Sequence, residues 1–342
     1  MNMQPWLHNL EIIKNTKPAL RYDGSKPYGE WKSEAKAKLR ELLGMDRIVK
    51  PDDLNFNLEY ERECEEYTEY RFTIESEVGY GFPSVLRVPK GVKAPMPIVI
   101  CLQGHSTGFH ISLGNPIFEG DYGSISNGDR DFCVRAIKEG YAAVAVEQRN
   151  FGECGGVMDP EKKPGPDCHV SSMSAIINGR TTIGERAHDV SCVIDVLLEK
   201  FGDVFDKDKI VLMGNSGGGT ATYYTACLEE RIALAMPSCA VCTYKHSIAA
   251  MKHCVCNFIP HIANYFDMGD LAGLIAPRKL VVVNGKDDPI FPNPGVQESF
   301  EVIKSMYEVA GVPDDCALVT GDGGHRFYAD PAWPVVHKMM ND

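Results

Sequence analysis

The chain has 342 residues, of which 44% are hydrophobic and 24% charged, and its net charge is −12. Those fractions are ordinary for a globular protein, and the negative charge excludes a nucleic-acid backbone or an anionic membrane surface as partner. No apolar run reaches the roughly 18–20 residues of a membrane helix. The N-terminal stretch MNMQPWLHNLEIIKNTK also lacks the basic-then-apolar order of a secretory leader, so a cytoplasmic location is expected.

The first clear element is KPYGEWKSEAKAKLREL, 27–43. Its apolar positions Trp31, Ala35, Leu39 and Leu42 follow a helical period, and Gly44 ends it. Residues 57–63 and 67–77 are rich in Tyr, Phe, Thr and Glu with partial alternation, and GYGFPSVLRVP follows, so three antiparallel strands are predicted. From Met96 the rhythm changes. PIVICLQG is a continuous apolar run ending in glycine, as expected of a strand buried on both faces. A helix (RDFCVRAIKEG), a second buried strand (YAAVAVEQR) and a Gly/Pro-rich loop over 151–172 come next. The helix GERAHDVSCVIDVLLEKFG, the strand KIVLMG, the helix GGTATYYTACLEE and the strand IALAMPS succeed one another. An irregular segment spans 238–276. KLVVVNG is a further buried strand, then helix 296–310, strand CALVTG and a last helix near 331–340. Strands alternating with helices mean right-handed crossovers and an α/β fold with a mostly parallel central sheet, helices on both faces and the antiparallel strands at its N-terminal edge. The division expected is an N-terminal helical extension, 1–56, packing on a catalytic domain, 57–342, with lid-like segments near 151–180 and 238–276.

Twelve cysteines are scattered through apolar segments such as VICLQG and DVSCVID. They read as buried free thiols in a reducing compartment. Cys239/Cys242 and Cys254/Cys256 are spaced C-x-x-C and C-x-C, which matches no common zinc module, so neither a metal nor a cofactor is expected.

The stretch VLMGNSGGGT, 211–220, carries the chemistry. Gly214-Asn215-Ser216-Gly217-Gly218 fits G-x-S-x-G where a buried strand meets a helix. In that elbow the serine hydroxyl stands above the sheet on a strained backbone, and side chains two residues either side would strike the neighbouring strand and helix. The bland alternative is a glycine-rich turn. A phosphate loop is unsupported, because no Lys-Ser/Thr follows the glycines, and no G-x-G-x-x-G opens the first strand–helix turn. The elbow demands an acid after a later strand and then a histidine. Asp288, with Asp287 as the alternative, follows KLVVVNG directly, and His325 follows CALVTG in the loop GDGGHRF. Each lies at the C-terminal end of its strand, where such sheets place their sites. An oxyanion hole would take the N–H of Gly217 and that of His105, or of Ser106, in the loop CLQGHSTGF.

Together, GNSGGG, KDDPIFP, GGHRF and QGHSTG resemble an alpha/beta hydrolase from about residue 96 to the end. NGRTTIGERAHDVSCVIDVL, CNFIPHIANYFDMGDLAGLIAPRKL and WKSEAKAKLRELLG are similar to bacterial acetyl xylan esterase and dienelactone-hydrolase-like proteins. Dienelactone hydrolases carry cysteine where this chain has Ser216, and the usual His-Gly of the oxyanion loop is Gln103-Gly104 here. The resemblance implies a serine carboxylic ester hydrolase with the triad Ser216, Asp288 and His325, working through an acyl-enzyme and no cofactor. Its substrate would be an acetylated carbohydrate or another small acyl ester, with Gln103, Ser106, Phe151, His169, Tyr244 and Phe258 near it and Met158 and Met173 on the first lid-like segment. A serine peptidase of the same fold and an inactive binding protein are the alternatives, and a homo-oligomer stays open.

Overall fold

Nine strands form one sheet in the order β1-β2-β3-β5-β4-β6-β7-β8-β9. They are β1 Asn57–Glu63, β2 Tyr67–Glu77, β3 Tyr80–Pro89, β4 Met96–Leu102, β5 Ala142–Val146, β6 Phe205–Asn215, β7 Ile232–Ser238, β8 Lys279–Gly285 and β9 Cys316–Gly321. The computed structural model describes residues 3–155 and 168–341. Strands β1, β2, β3 and β5 pair antiparallel, whereas β5, β4, β6, β7, β8 and β9 run parallel. The parallel strands are covered on both faces. Along β4, Ile98, Ile100 and Leu102 enter one core, and Val99 and Cys101 enter the other. That double burial is why β4, β5 and β8 read as unbroken apolar runs.

The order reverses at β4. The chain passes from β4 to β5 on one side and then returns to β6 on the other. Their C-terminal ends therefore diverge, leaving a crevice between the loops that leave β4 and β6. The QGHST loop and the GNSGG turn sit on its two sides.

Every strand expected from the sequence is present. Helices that the periodicity did not single out are Pro5–Asn15, Glu119–Ser126, Cys168–Ile177 and, within 238–276, Ile262–Tyr265 and Met268–Ile275. Of the first lid-like segment, residues 156–167, with Met158, lie outside the described residues. Among the described residues, no helix is long and apolar enough to cross a membrane.

The N-terminal helix Tyr28–Leu43 is held by the central core. Its Trp31, Ala35, Leu39 and Leu43 belong to the larger apolar cluster. The indole of Trp31 donates to Leu20 O at 2.8 Å and stacks on Tyr28. It lies against Gly273, where a Cβ would come within 2.6 Å of the ring. Gly44 closes the helix at φ +71°, and Gly179 O would be 2.3 Å from any Cβ there. Truncating Trp31 to Ala removes a large buried side chain and is expected to cost about 3–5 kcal/mol of unfolding free energy in a urea titration. A loss below about 1 kcal/mol would detach this helix from the cooperative core.

Candidate active site

Ser216 occupies the single residue between β6 and the helix Gly217–Leu228, at φ +57°, ψ −121°. A non-glycine residue there is strained by on the order of 1–3 kcal/mol, and the surroundings have to hold it. Two backbone bonds do so: Ser216 N–H donates to Ser238 O, and Thr220 N–H donates to Ser216 O, each at 2.8 Å. The glycines are steric necessities. A Cβ at Gly218 would lie 2.2 Å from Leu102 O at the end of β4, and one at Gly214 would lie 2.5 Å from Gly218 backbone. Gly104, across the crevice, would place a Cβ 2.9 Å from the Ser216 Cβ. The two loops touch through glycine.

His325 Nδ1 and Asp288 Oδ2 are 2.8 Å apart. Asp288, 3% exposed, also accepts the N–H groups of Ile290 (2.8 Å) and Phe291 (3.1 Å) at Oδ1. Burial alone would raise this carboxyl, but the hydrogen bond to His325 and the two backbone donors outweigh it and hold Asp288 below the usual carboxylate range. The neighbouring Asp287 is exposed and does not take this place. Phe291 stacks on the imidazole with ring centroids 6.0 Å apart, fixing its plane.

Ser216, His325 and His105 line one cavity of about 280 Å³ with Arg130, Lys252, His253, Cys254 and Asn257. The irregular segment 238–276 does wall it, but through residues 252–257. Several expected contacts lie elsewhere. Gln103 is buried, with its amide donating to Ser112 Oγ (2.7 Å) and Arg130 O (2.6 Å), so its side chain braces the loop. Phe151 is fully buried against His105 and Arg186. His169 is exposed on the helix Cys168–Ile177. Tyr244 and Phe258 line a separate apolar cavity near Ile13, and the Tyr244 hydroxyl is bonded to that of Tyr224. Ser106 Oγ accepts from Gly108 N within its own loop.

Arg130 and Lys252 escaped the sequence reading, because neither sits in a motif. The one available signal for Arg130 was its place in the connection after β4. Its Nε donates to Gln103 Oε1 at 2.9 Å, while Nη2 is buried and unpartnered among the described residues. Burial pulls its guanidinium down to about 10. The ring of His105 turns its Nε2 to Cys256 Sγ, 3.2 Å away. Burial would lower this imidazole, yet the bonds with Cys254 and Cys256 raise it to about 9.

A parallel-sheet switch point, a strained serine elbow and a buried Asp–His pair following in chain order define an alpha/beta hydrolase. The chain belongs to the Abhydrolase family, whose sequence model matches residues 8–322. YtaP of Bacillus subtilis (strain 168), provisionally named a hydrolase, is 23% identical over 246 residues, 71% of this chain and 77% of that one. A Bacteroides fragilis NCTC 9343 protein provisionally described as an acetyl xylan esterase superposes with a TM-score of 0.77 at 16% identity, covering 94% of this chain and 83% of its own. The glucuronoyl esterase of Solibacter usitatus gives a TM-score of 0.68 at 17% identity, with 96% and 98% covered.

Behind the site, Glu147 leaves the end of β5 and is 1% exposed. Its Oε2 accepts from Glu153 N (3.1 Å) and Phe109 N (3.4 Å). Burial pushes it up to about 8, against the pull of those two donors. The folded state therefore keeps a proton that the unfolded chain gives up near pH ~4.3, so stability falls as pH rises from about 5 to 8. Glu147→Gln keeps a neutral side chain and should flatten that decline in urea midpoints. Parallel declines in both proteins would show that the carboxylate is tolerated in its ionised form.

Proposed function

We propose that the protein is a serine carboxylic ester hydrolase that removes an acetyl or similarly small acyl group from a carbohydrate or another small ester. The observation that carries this reading is the elbow residue Ser216 sharing one cavity with His325, itself paired to Asp288. In this reading Ser216 Oγ attacks the ester carbonyl while His325 takes its proton. The same imidazole then protonates the leaving alcohol, and the acyl group stays on the serine. Water releases it as the acid in a second round of the same proton transfers. Asp288, ionised and bonded to Nδ1, orients the ring and stabilises its charged form.

The N–H groups of Gly217 and His105 would hold the oxyanion, one at a helix N-terminus and one on the loop after β4. Arg130 Nη2 is a third donor beside Gly104, with no protein partner to satisfy it among the described residues. Such a buried group is costly to leave unpaired, and a substrate oxygen would complete it. At about 280 Å³ the cavity lies at the small end of ligand pockets, which run to roughly 300–1,000 Å³, and this favours a short acyl chain. The cationic and amide wall from Arg130, Lys252 and Asn257 suits a hydroxyl-rich alcohol. Names of structural relatives, acetyl xylan esterase and glucuronoyl esterase, agree with a carbohydrate ester.

A fluorophosphonate probe should label the protein once, with the adduct mapped to Ser216 by mass spectrometry. Ser216→Ala should lower turnover of an acetyl ester on the order of 10^6-fold, and Asp288→Asn about 10^4-fold. Labelling elsewhere, or an unlabelled folded protein beside a labelled control, would overturn the serine mechanism. Across esters of rising chain length the rate should drop steeply after acetyl; a level profile would remove the small-acyl assignment.

A further inference from the structure

One cluster of chemically active side chains is not used by the reaction. His105, Cys168, Cys254 and Cys256 come from three separate parts of the chain. His105 is on the loop after β4, Cys168 opens the helix Cys168–Ile177, and Cys254 and Cys256 flank the start of a short turn, Val255–Asn257. Their four donor atoms all lie within 4.8 Å of one another. Within the group, Cys256 Sγ is 3.3 Å from Cys254 Sγ and 3.2 Å from His105 Nε2. Four ligands on a tetrahedral zinc ion, with Zn–S of about 2.3 Å and Zn–N of about 2.0–2.1 Å, stand roughly 3.5–3.8 Å apart.

Buried thiols that serve only as small apolar groups pack among apolar neighbours, as Cys101 and Cys133 do in the core beside β4. This cluster differs in two respects. Three sulfurs and an imidazole nitrogen converge on one point, and a buried cation stands beside them. Arg186, 2% exposed, has Nη1 3.9 Å from Cys256 Sγ. Its other nitrogens donate to Arg149 O at 2.7 and 3.2 Å, and its guanidinium lies 4.2 Å from the centroid of the Phe151 ring. Three thiolates around a divalent ion carry a net charge of −1, and Arg186 would neutralise it. Such a partner outside the ligands is what metal sites use to fix and balance them.

We propose that these four side chains form a tetrahedral Cys3His site for one zinc ion, which ties the two segments of His105 and Cys254 that wall the catalytic cavity to the helix that Cys168 opens. All four positions are taken by protein, so the site is structural and offers no place for a reacting water. On binding, the three thiols give up their protons to solvent and no electron moves. Ligation through Nε2 leaves the proton on His105 Nδ1. That nitrogen faces the elbow, 3.1 Å from where a Gly217 Cβ would stand. The ion thus anchors the loop whose backbone N–H is placed at the oxyanion, while the site stands whether or not the esterase reading does.

The test uses the full chain, expressed with zinc under reducing conditions, desalted and measured by elemental analysis. About one zinc per chain is expected. Cobalt substituted for it should give the visible absorption of tetrahedral thiolate coordination. Cys254→Ser and Cys168→Ser should each weaken zinc binding at least ~100-fold in a chelator competition. Ser216→Ala and the remote Cys316→Ser should keep the metal, which separates this site from the catalytic reading and from general thiol affinity. Less than about a tenth of a zinc per chain in folded, reduced protein given excess zinc would overturn the proposal. So would a disulfide among Cys168, Cys254 and Cys256 in protein purified without added oxidant. Should the serine variants fail to fold, the metal content and cobalt spectrum of Ser216→Ala decide alone.

Discussion

The close approach of two backbones governs this structure. The end of β4 and the first turn of the helix after β6 meet with Leu102 O lying where a Gly218 Cβ would be. Only glycine permits that distance, and only that distance lets the chain reverse from strand to helix across a single residue. Ser216 is therefore forced to positive φ and lifted clear of the sheet. The strain is sustained because the whole parallel sheet, buried on both faces, fixes β4 and β6 in register from Ile98 opposite Ile210 to Leu102 opposite Gly214. A side chain at Gly214 or Gly218 would push the strands apart and release the serine into an ordinary turn.

The same sheet explains why the remaining groups arrive where they do. Strands β8 and β9 lie at consecutive positions beyond β7, so the loops at their ends come to one side of the elbow. Asp288 follows β8 by a short turn and is pinned by two N–H donors before it ever meets His325. The histidine sits on a longer connection, and its partner and the ring of Phe291 supply the order that its glycine-rich loop lacks. Charge and packing thus divide the work of positioning: Asp288 is set by backbone, His325 by Asp288.

Much of this was legible in the sequence, for a physical reason. Doubly buried strands produce unbroken apolar runs, and elbow sterics produce glycines at fixed offsets, so both the sheet and the elbow leave local marks. The order of Ser216, Asp288 and His325 is likewise a property of the chain. The pocket wall left no such mark. Tyr244 and Phe258 resemble substrate contacts by composition, yet both line a different, apolar cavity near Ile13. Arg130 and Lys252 look like ordinary surface charges until the fold brings both to the wall of one cavity. The C-x-C at Cys254 and Cys256 pointed to buried thiols because its companions, Cys168 and His105, are 86 and 149 residues or more away from it in the chain. Spacing cannot report a cluster assembled from three loops.

His105 links these two levels of description. Its backbone belongs to a loop set by Gly104 against the elbow, and its ring belongs to the sulfur cluster with Phe151 and Arg186 around it. Loops at the mouth of a sheet have little apolar surface with which to hold themselves. Here the loop is held from behind by an imidazole anchored to segments that enter from elsewhere in the fold, and from below by the braced side-chain amide of Gln103 and by its main-chain carbonyl, which accepts from the Gln148 side-chain amide. An oxyanion donor has to be fixed before charge develops, because reorganising it during the reaction would consume the stabilisation it gives. Clamped through the side chain of His105, the loop proposed to carry an oxyanion donor meets that requirement without enlarging the core.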